Sequence, residues 1–136
     1  MQATDYDIPG DFRHWDGDAA EDHIGPFFYR PVAGGIETAF RPRPHNCNSS
    51  GAVHGGVLMT FIDYTLCVAA VAGTDERVVT VSCNSEFIAA ARPGALLIGR
   101  GEVIRRTGSL VFTRGTIEAD GETVLTASAV VKRIRR

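Results

Sequence analysis

Cysteine is scarce in this chain, with three in 136 residues, at positions 47, 67 and 83. An odd, widely spaced set fits neither a disulfide framework nor a C-x-x-C metal or redox motif. Each reads as a small buried or half-buried hydrophobe in a reducing compartment, most simply the cytoplasm. An excess of one charge is also lacking: 14 Lys and Arg face 16 Asp and Glu, for a formal net charge of −2. That balance gives no general reason to bind nucleic acid or a membrane surface. Long apolar runs are missing, since the run from Val68 to Ala72 falls far short of the ~20 residues that span a bilayer. The N-terminal Met1-Gln2-Ala3-Thr4-Asp5-Tyr6-Asp7 has neither the basic nor the apolar region of a secretory signal. There is no P-loop, no dinucleotide fingerprint and no G-x-S-x-G elbow. His14, His23 and His45 show no metal-ligand spacing with any carboxylate, so no metal is expected.

What remains is an ordinary globular composition, 44% hydrophobic and 22% charged, at the length of one domain. Residues 1–26 are acidic and turn-rich and read as an N-terminal extension. Within them a short helix over 18–23 is expected, started by Asp16 or Asp18. Residues 27–136 read as a single domain. Strands are expected over 27–32 and 36–41, joined at Ala33-Gly34-Gly35 into a hairpin. Residues 42–53 are dense in Pro, Asn, Ser and Gly and read as a loop without structure of its own, a kind that is often functional. Residues 57–72 then lack Pro and Gly and are apolar almost all round, the mark of a buried helix, with Gly73 as its stop.

The remainder is β-patterned, with strands expected over 77–87, 95–106, 109–119 and 122–133. Arg92-Pro93-Gly94, Thr107-Gly108 and Asp120-Gly121 supply the turns. In the first of these strands Thr80, Ser82, Asn84 and Glu86 share one parity, so simple alternation puts them on one face. The basic tail from Lys132 to Arg136 reads as a solvated strand end. One apolar helix with enough antiparallel strand to wrap it is an α+β solution. The sheet's other face and its open edges need cover, which argues for a homo-oligomer.

Asp63 is the odd residue of this helix. An ionised carboxylate among apolar positions costs several kcal/mol unless compensated. Either it lies on a locally exposed stripe, or the helix opens there into a cleft where a carboxylate serves as nucleophile or general base. At the start of the same helix, Gly55 and Gly56 offer backbone N–H groups to a carbonyl oxygen gaining charge, with no side chain in the way. Eight residues separate Gly55 from Asp63, about 12 Å of helical rise. Two such helices packed antiparallel across a two-fold would bring one subunit's Asp63 toward the other's Gly55. Asn48 is either a loop-fixing Asx residue or a substrate-orienting amide. His54 reads as a helix-start residue rather than a base. Cys67, one turn after Asp63, reads as a core thiol.

Asn46-Cys47-Asn48-Ser49-Ser50-Gly51-Ala52-Val53-His54-Gly55-Gly56, followed by Asp63, resembles the signature of the hotdog-fold acyl-CoA thioesterases of the PaaI-like, phenylacetate-degradation type. That signature is an Asn, then Gly-x-x-His-Gly-Gly, then an Asp on the central helix. Thr80 to Phe87, Gly94 and Arg106-Thr107-Gly108-Ser109 also fall where the family's later strand and turns do, so the resemblance covers about residues 24–133. It implies a hotdog fold and hydrolysis of an acyl-CoA to a free acid and CoA, with no cofactor beyond the coenzyme A of the substrate. A homotetramer built as a dimer of dimers is implied as well.

By the same resemblance Asp63 attacks the thioester or activates water, and the Gly55 N–H, with that of Gly56, polarises the carbonyl from the partner subunit. Asn48 and His54 fix the loop and the thioester. Thr80 holds the water by an ungapped count from Gly94, or Ser82 if a gap intervenes, with Asn84 nearby. The CoA arm falls to Ala90, Arg92, Gly94, Arg105, Arg106, Gly108 and Ser109, with Lys132 a further candidate; the arginines suit phosphate. The sequence departs from the family where Ala89-Ala90 replace the usual Arg-Pro after the strand's Phe. The acyl pocket is expected from Leu58, Phe61 and Ile62. The competing readings are a non-catalytic acyl-CoA-binding module and a hotdog hydratase or dehydratase.

Overall fold

The computed structural model describes residues 1–134, so Arg135 and Arg136 of the basic tail lie outside the described residues. In chain order the elements are β1 (Arg13–His14), α1 (Ala19–Ile24), β2 (Phe28–Val32), β3 (Gly35–Phe40), α2 (Gly55–Val71), β4 (Arg77–Phe87), β5 (Leu97–Arg106), β6 (Leu110–Ala119) and β7 (Glu122–Ile134). The seven strands form one antiparallel sheet ordered β1-β2-β3-β5-β6-β7-β4. Strands β3 to β7 all contact α2, so the sheet curves around one long helix. This is the α+β arrangement expected from the pattern and the hotdog fold that the resemblance implies. No helix among the described residues is long and apolar enough to cross a membrane.

The apolar character of α2 follows from its place in the hollow of the sheet. Phe61, Ile62 and Leu66 are fully buried, and Phe61 packs its ring against Phe27 and Phe40. Each such aromatic pair adds about 0.5–1.5 kcal/mol beyond its area. Close approach needs glycine opposite. A Cβ on Gly101 would lie 3.1 Å from the Thr65 carbonyl oxygen, and one on Gly99 would strike the Thr38 and Thr65 hydroxyls. With that space left open, Thr38 and Thr65 share a buried 2.7 Å hydrogen bond that ties α2 to β3. The helix ends where Gly73 takes φ 75, a left-handed conformation that suits glycine.

The N-terminal residues belong to the packing. A 3-10 turn over Ala3–Tyr6, with Ile8 and Phe12, covers the outer sheet face at Phe28 and Ala39. The Arg41 guanidinium fastens this arm by donating to the Asp7 carbonyl. At this end the chain itself supplies the cover that the sequence assigned to oligomerisation. At the other end β4 has a strand neighbour on one side only, among the described residues. His14 of β1 bonds Asp16 and Asp22, pinning α1 beside the sheet. Burial alone would lower the His14 pKa, but these two carboxylates outweigh it and raise it.

Three expectations are corrected. Residues 42–53 are not structureless, because Pro44–Asn46 form a 3-10 turn and Cys47 bridges Val53. The buried Asn46 amide holds that turn, accepting from the Arg43 N–H and donating to the Ile24 carbonyl. Arg133 is not a solvated end; it pairs with Glu76 at 2.6 Å, both side chains largely covered. Thr80, Ser82 and Asn84 do not share a face. A β-bulge between Thr80 and Ser82 shifts the register against β7, since Thr80 pairs with Val131 and Ser82 with Val130. The extra residue, Val81, reverses the alternation beyond it. Thr80 therefore faces the helix together with Cys83, while Ser82 and Asn84 face outward and are exposed.

Candidate active site

The bulge brings Thr80 over the middle of α2. Its hydroxyl donates a 2.6 Å hydrogen bond to Asp63 Oδ1. Cys67, one turn along, places its sulfur 3.3 Å from Thr80 Oγ1 and 3.9 Å from Asp63 Oδ1. Burial, then the Asp63 charge, pushes the Cys67 thiol up to about 12, so it stays protonated at neutral pH. Asp63 is half-buried and lines a cleft of about 460 Å³ between α2, α1 and the start of β4. Of the two readings of this carboxylate, the cleft is the one realised. Cys67 borders the cleft too, rather than sitting in the core as expected.

Glu21 and Tyr64 are among the residues of the cleft not identified from sequence. Glu21 of α1 reaches it, and its carboxyl is pushed up to about 7 by burial and then by the charges of Asp18, Asp63 and Asp22. Tyr64 is 2% exposed, and its hydroxyl is a buried side-chain atom without a hydrogen-bond partner among the described residues. Burial and then the Glu21 charge raise the tyrosine pKa well above its usual value. Tyr64 is a hydroxyl beside the odd carboxylate in an apolar helix, which was a visible signal. That α1 would lie across α2 was not.

The helix start forms a second cleft, of about 350 Å³, lined by Asn48, Gly55, Leu58, Phe87, Ile88 and Ala90 among others. The Gly55 N–H has no acceptor among the described residues. The Gly56 N–H, expected to be open, is taken: it donates at 2.8 Å to Nδ1 of His54, which caps the helix. Asn48 accepts from the Ser50 and Ala52 N–H groups through Oδ1, fixing the loop. Its Nδ2 finds no acceptor among the described residues. Of the expected acyl-pocket residues only Leu58 borders a cleft, while Phe61 and Ile62 are sealed in the core.

One protomer does not assemble all the expected residues. The Gly55 and Asp63 clefts share no residue, and about 12 Å of helical rise separates them. Ala90, Arg92 and Gly94 lie before β5, whereas Arg105, Arg106, Gly108 and Ser109 lie at or beyond its far end, about 30 Å away. Gly94 is held by Pro42 and Arg41, and Arg106 donates to the Ala70 carbonyl at the C-terminal end of α2. Arg92, Arg105 and Lys132 are exposed. Ser82 and Asn84 point away from the Asp63 cleft.

Comparison with known proteins agrees with this fold. The family model described as the thioesterase superfamily matches residues 50–126, spanning the end of the loop, α2 and most of the sheet. No curated protein sequence matches the chain. Among solved structures, a phenylacetic acid degradation-related protein from Ralstonia eutropha JMP134 is 26% identical, with a TM-score of 0.78 over 85% of this chain and 91% of that one. The PaaI protein from the phenylacetic acid degradation operon of E. coli superposes with a TM-score of 0.80 at 17% identity, over 88% and 87% of the two chains. A hypothetical thioesterase from Streptococcus pneumoniae TIGR4, solved with coenzyme A, gives 0.73 at 18% identity, over 81% and 90%. The last two show the likeness of fold.

Proposed function

The chain belongs to the thioesterase superfamily and is a thioester hydrolase, and we propose that its substrate is an acyl-CoA, cleaved by water to a carboxylic acid and coenzyme A. The observation that carries this reading is the Asp63 carboxylate, held on the Thr80 hydroxyl at 2.6 Å in a cleft of an otherwise apolar helix. Such a group serves as nucleophile toward the thioester carbonyl or as general base toward a water. The carbonyl oxygen that gains charge needs donors, and the Gly55 N–H, with Asn48 Nδ2 beside it, supplies them.

These donors come from a second subunit. The open edge of β4 pairs antiparallel with its own copy about a two-fold near the strand's centre. Each Thr80–Asp63 pair then moves toward the partner's Phe87 and Gly55, which lie together in one cleft. The same pairing closes a sheet edge that is a liability when left open. Arginines at opposite ends of β5 reach one CoA arm only when different subunits contribute them, which favours a dimer of dimers. The coenzyme A in the Streptococcus pneumoniae relative supports this class of substrate. Hydrolysis by a carboxylate and backbone donors asks for no metal or redox group. Three unpaired cysteines fit a reducing compartment such as the cytoplasm.

Thiol release from a panel of acyl-CoAs, followed with a chromogenic thiol reagent, tests the reading. Wild-type protein is expected to release thiol, and Asp63→Asn to lose about 10²–10⁴-fold in kcat with its circular dichroism unchanged. Wild-type turnover by that folded variant would overturn the role of Asp63.

A further inference from the structure

The wall that α1 contributes to the Asp63 cleft has no core of its own to hold it. Trp15, Asp18 (the N-cap of α1) and Glu21 line the cleft on this side. Yet α1 has six residues, none of them buried, and a helix this short does not persist alone. Its place depends on polar ties. At its C-terminal end Asn46 Nδ2 and the Arg43 guanidinium donate to the Ile24 and Gly25 carbonyls. His14 holds the body of the helix through Asp22 Oδ1, 2.6 Å from Nε2, and the turn before it through Asp16 Oδ1, 2.7 Å from Nδ1.

The His14 tie depends on a proton. An ionised carboxylate only accepts, so both ring nitrogens must donate, and the imidazolium alone carries both protons. The His14 side chain is 9% exposed, and the charges that act on it are those of Asp22 and Asp16. From β2 it meets the uncharged Phe28 ring, 5.9 Å away between ring centres. Loss of the proton leaves one donor for two carboxylates.

We propose that His14, as its imidazolium, is the positioning residue that holds α1 against the Asp63 cleft, and that substrate binds less tightly once His14 loses its proton. Burial lowers the His14 pKa and the two carboxylates raise it by more, so the tie is complete below 6.5 and is lost as pH rises through the raised value. This rests on the thioesterase reading of the same cleft.

Trp15, the only tryptophan of the chain, adjoins His14, lines the cleft and packs on Tyr29 at 5.6 Å, so its fluorescence reports the seat of α1 without catalysis. Acrylamide quenching is measured from about pH 5.5 to 9, across the histidine titration, in wild type, His14→Gln and Asp22→Asn. Wild-type quenching is expected to rise with pH. His14→Gln stays at the high-pH level. Asp22→Asn stays at the low-pH level, because an asparagine amide donates to the free nitrogen of a neutral imidazole. KM for the best acyl-CoA should climb about three- to tenfold in step in wild type and stay low in Asp22→Asn, while kcat keeps one pH profile in both. Glu21, pushed up to about 7 by burial and then by Asp18, Asp63 and Asp22, titrates in the same range, so the set is repeated in a Glu21→Gln background. A wild-type slope kept by Asp22→Asn in that background, or quenching that shifts while KM does not, overturns the proposal alone. No turnover of any acyl-CoA by wild type overturns the hydrolase reading and the effect on KM with it, and the quenching then still decides whether His14 holds α1.

Discussion

Thr80 Oγ1 lies 2.6 Å from Asp63 Oδ1, so the hydroxyl of a sheet strand orients the carboxylate of the helix it covers. The bond joins residues from two elements that alternation alone would have related differently. Removing the donor while keeping the shape isolates its effect. Thr80→Val is expected to lower kcat about 10- to 100-fold with little change in KM, and Thr80→Ser to restore most of it. Steady-state kinetics on the best substrate checks this. Equal activity in Thr80→Val would mean that Asp63 needs no orienting partner.

The Gly55 N–H can be deleted with the helix kept, provided the exposed Phe87 ring, which a Cβ there would meet at 3.2 Å, gives way. Gly55 is the first helical residue, where proline is favoured, and His54 at φ −60, ψ 136 already has the backbone that a residue before proline adopts. Gly55→Pro is therefore expected to keep the melting temperature within a few degrees and to reduce kcat about 10²–10³-fold. Mixing unfolded Gly55→Pro and Asp63→Asn chains and refolding them together tests the shared site. About a quarter of wild-type activity should return, because random pairing gives half heterodimers with one intact site each. No recovery would place both groups in one subunit's site.

Glu21 predicts a slope in stability against pH. A carboxyl raised from 4.5 to about 7 holds its proton more tightly in the fold, so stability falls as pH rises between those values. Glu21→Gln is expected to match wild type at pH 4 and to melt about 3 °C higher at pH 8. That is what ~1 kcal/mol gives at this size, discounted for a carboxyl that is partly solvated. His14, also raised, contributes stability below 6.5 that is lost above it, a slope of the same sign. The difference between variant and parent in calorimetry is accordingly the measure. A variant less stable than wild type at pH 8 would refute the assignment.

Cys67 should resist alkylation. With its thiol near 12, the thiolate fraction at pH 8 is on the order of 10³-fold below that of an ordinary cysteine. Mass spectrometry after iodoacetamide treatment should find Cys67 modified only once the chain is denatured. Rapid labelling in the native protein would contradict the burial that raises it.

Much of this molecule was legible because local chemistry and global fold agree. Asp120 and Gly121 both take positive φ, 51 and 78, as the tight hairpin between β6 and β7 demands. Ala33-Gly34 connects β2 and β3 with two residues, and α2 starts beside His54 and stops before Gly73. The N-cap of α1 is Asp18, one of the two residues expected. What escaped is what depends on distant partners. Arg13–His14 is a two-residue strand with no pattern to read, created by pairing with Tyr29 and Phe28. The closeness of Glu21 to Asp63 spans 42 positions and leaves no periodic trace. The Gly56 amide was misread because the cap comes from a side-chain nitrogen two residues earlier.

Val81 carries no chemistry of its own, yet it sets the phase of its strand. Were it drawn into regular pairing with β7, strict alternation would run through positions 80 to 83, and the hydroxyl at 80 and the sulfur at 83, three residues apart, could not both face inward. The side chains that equip this enzyme are thus a matter of register as well as identity, and a relative with the same letters in β4 but no bulge would have a differently armed helix.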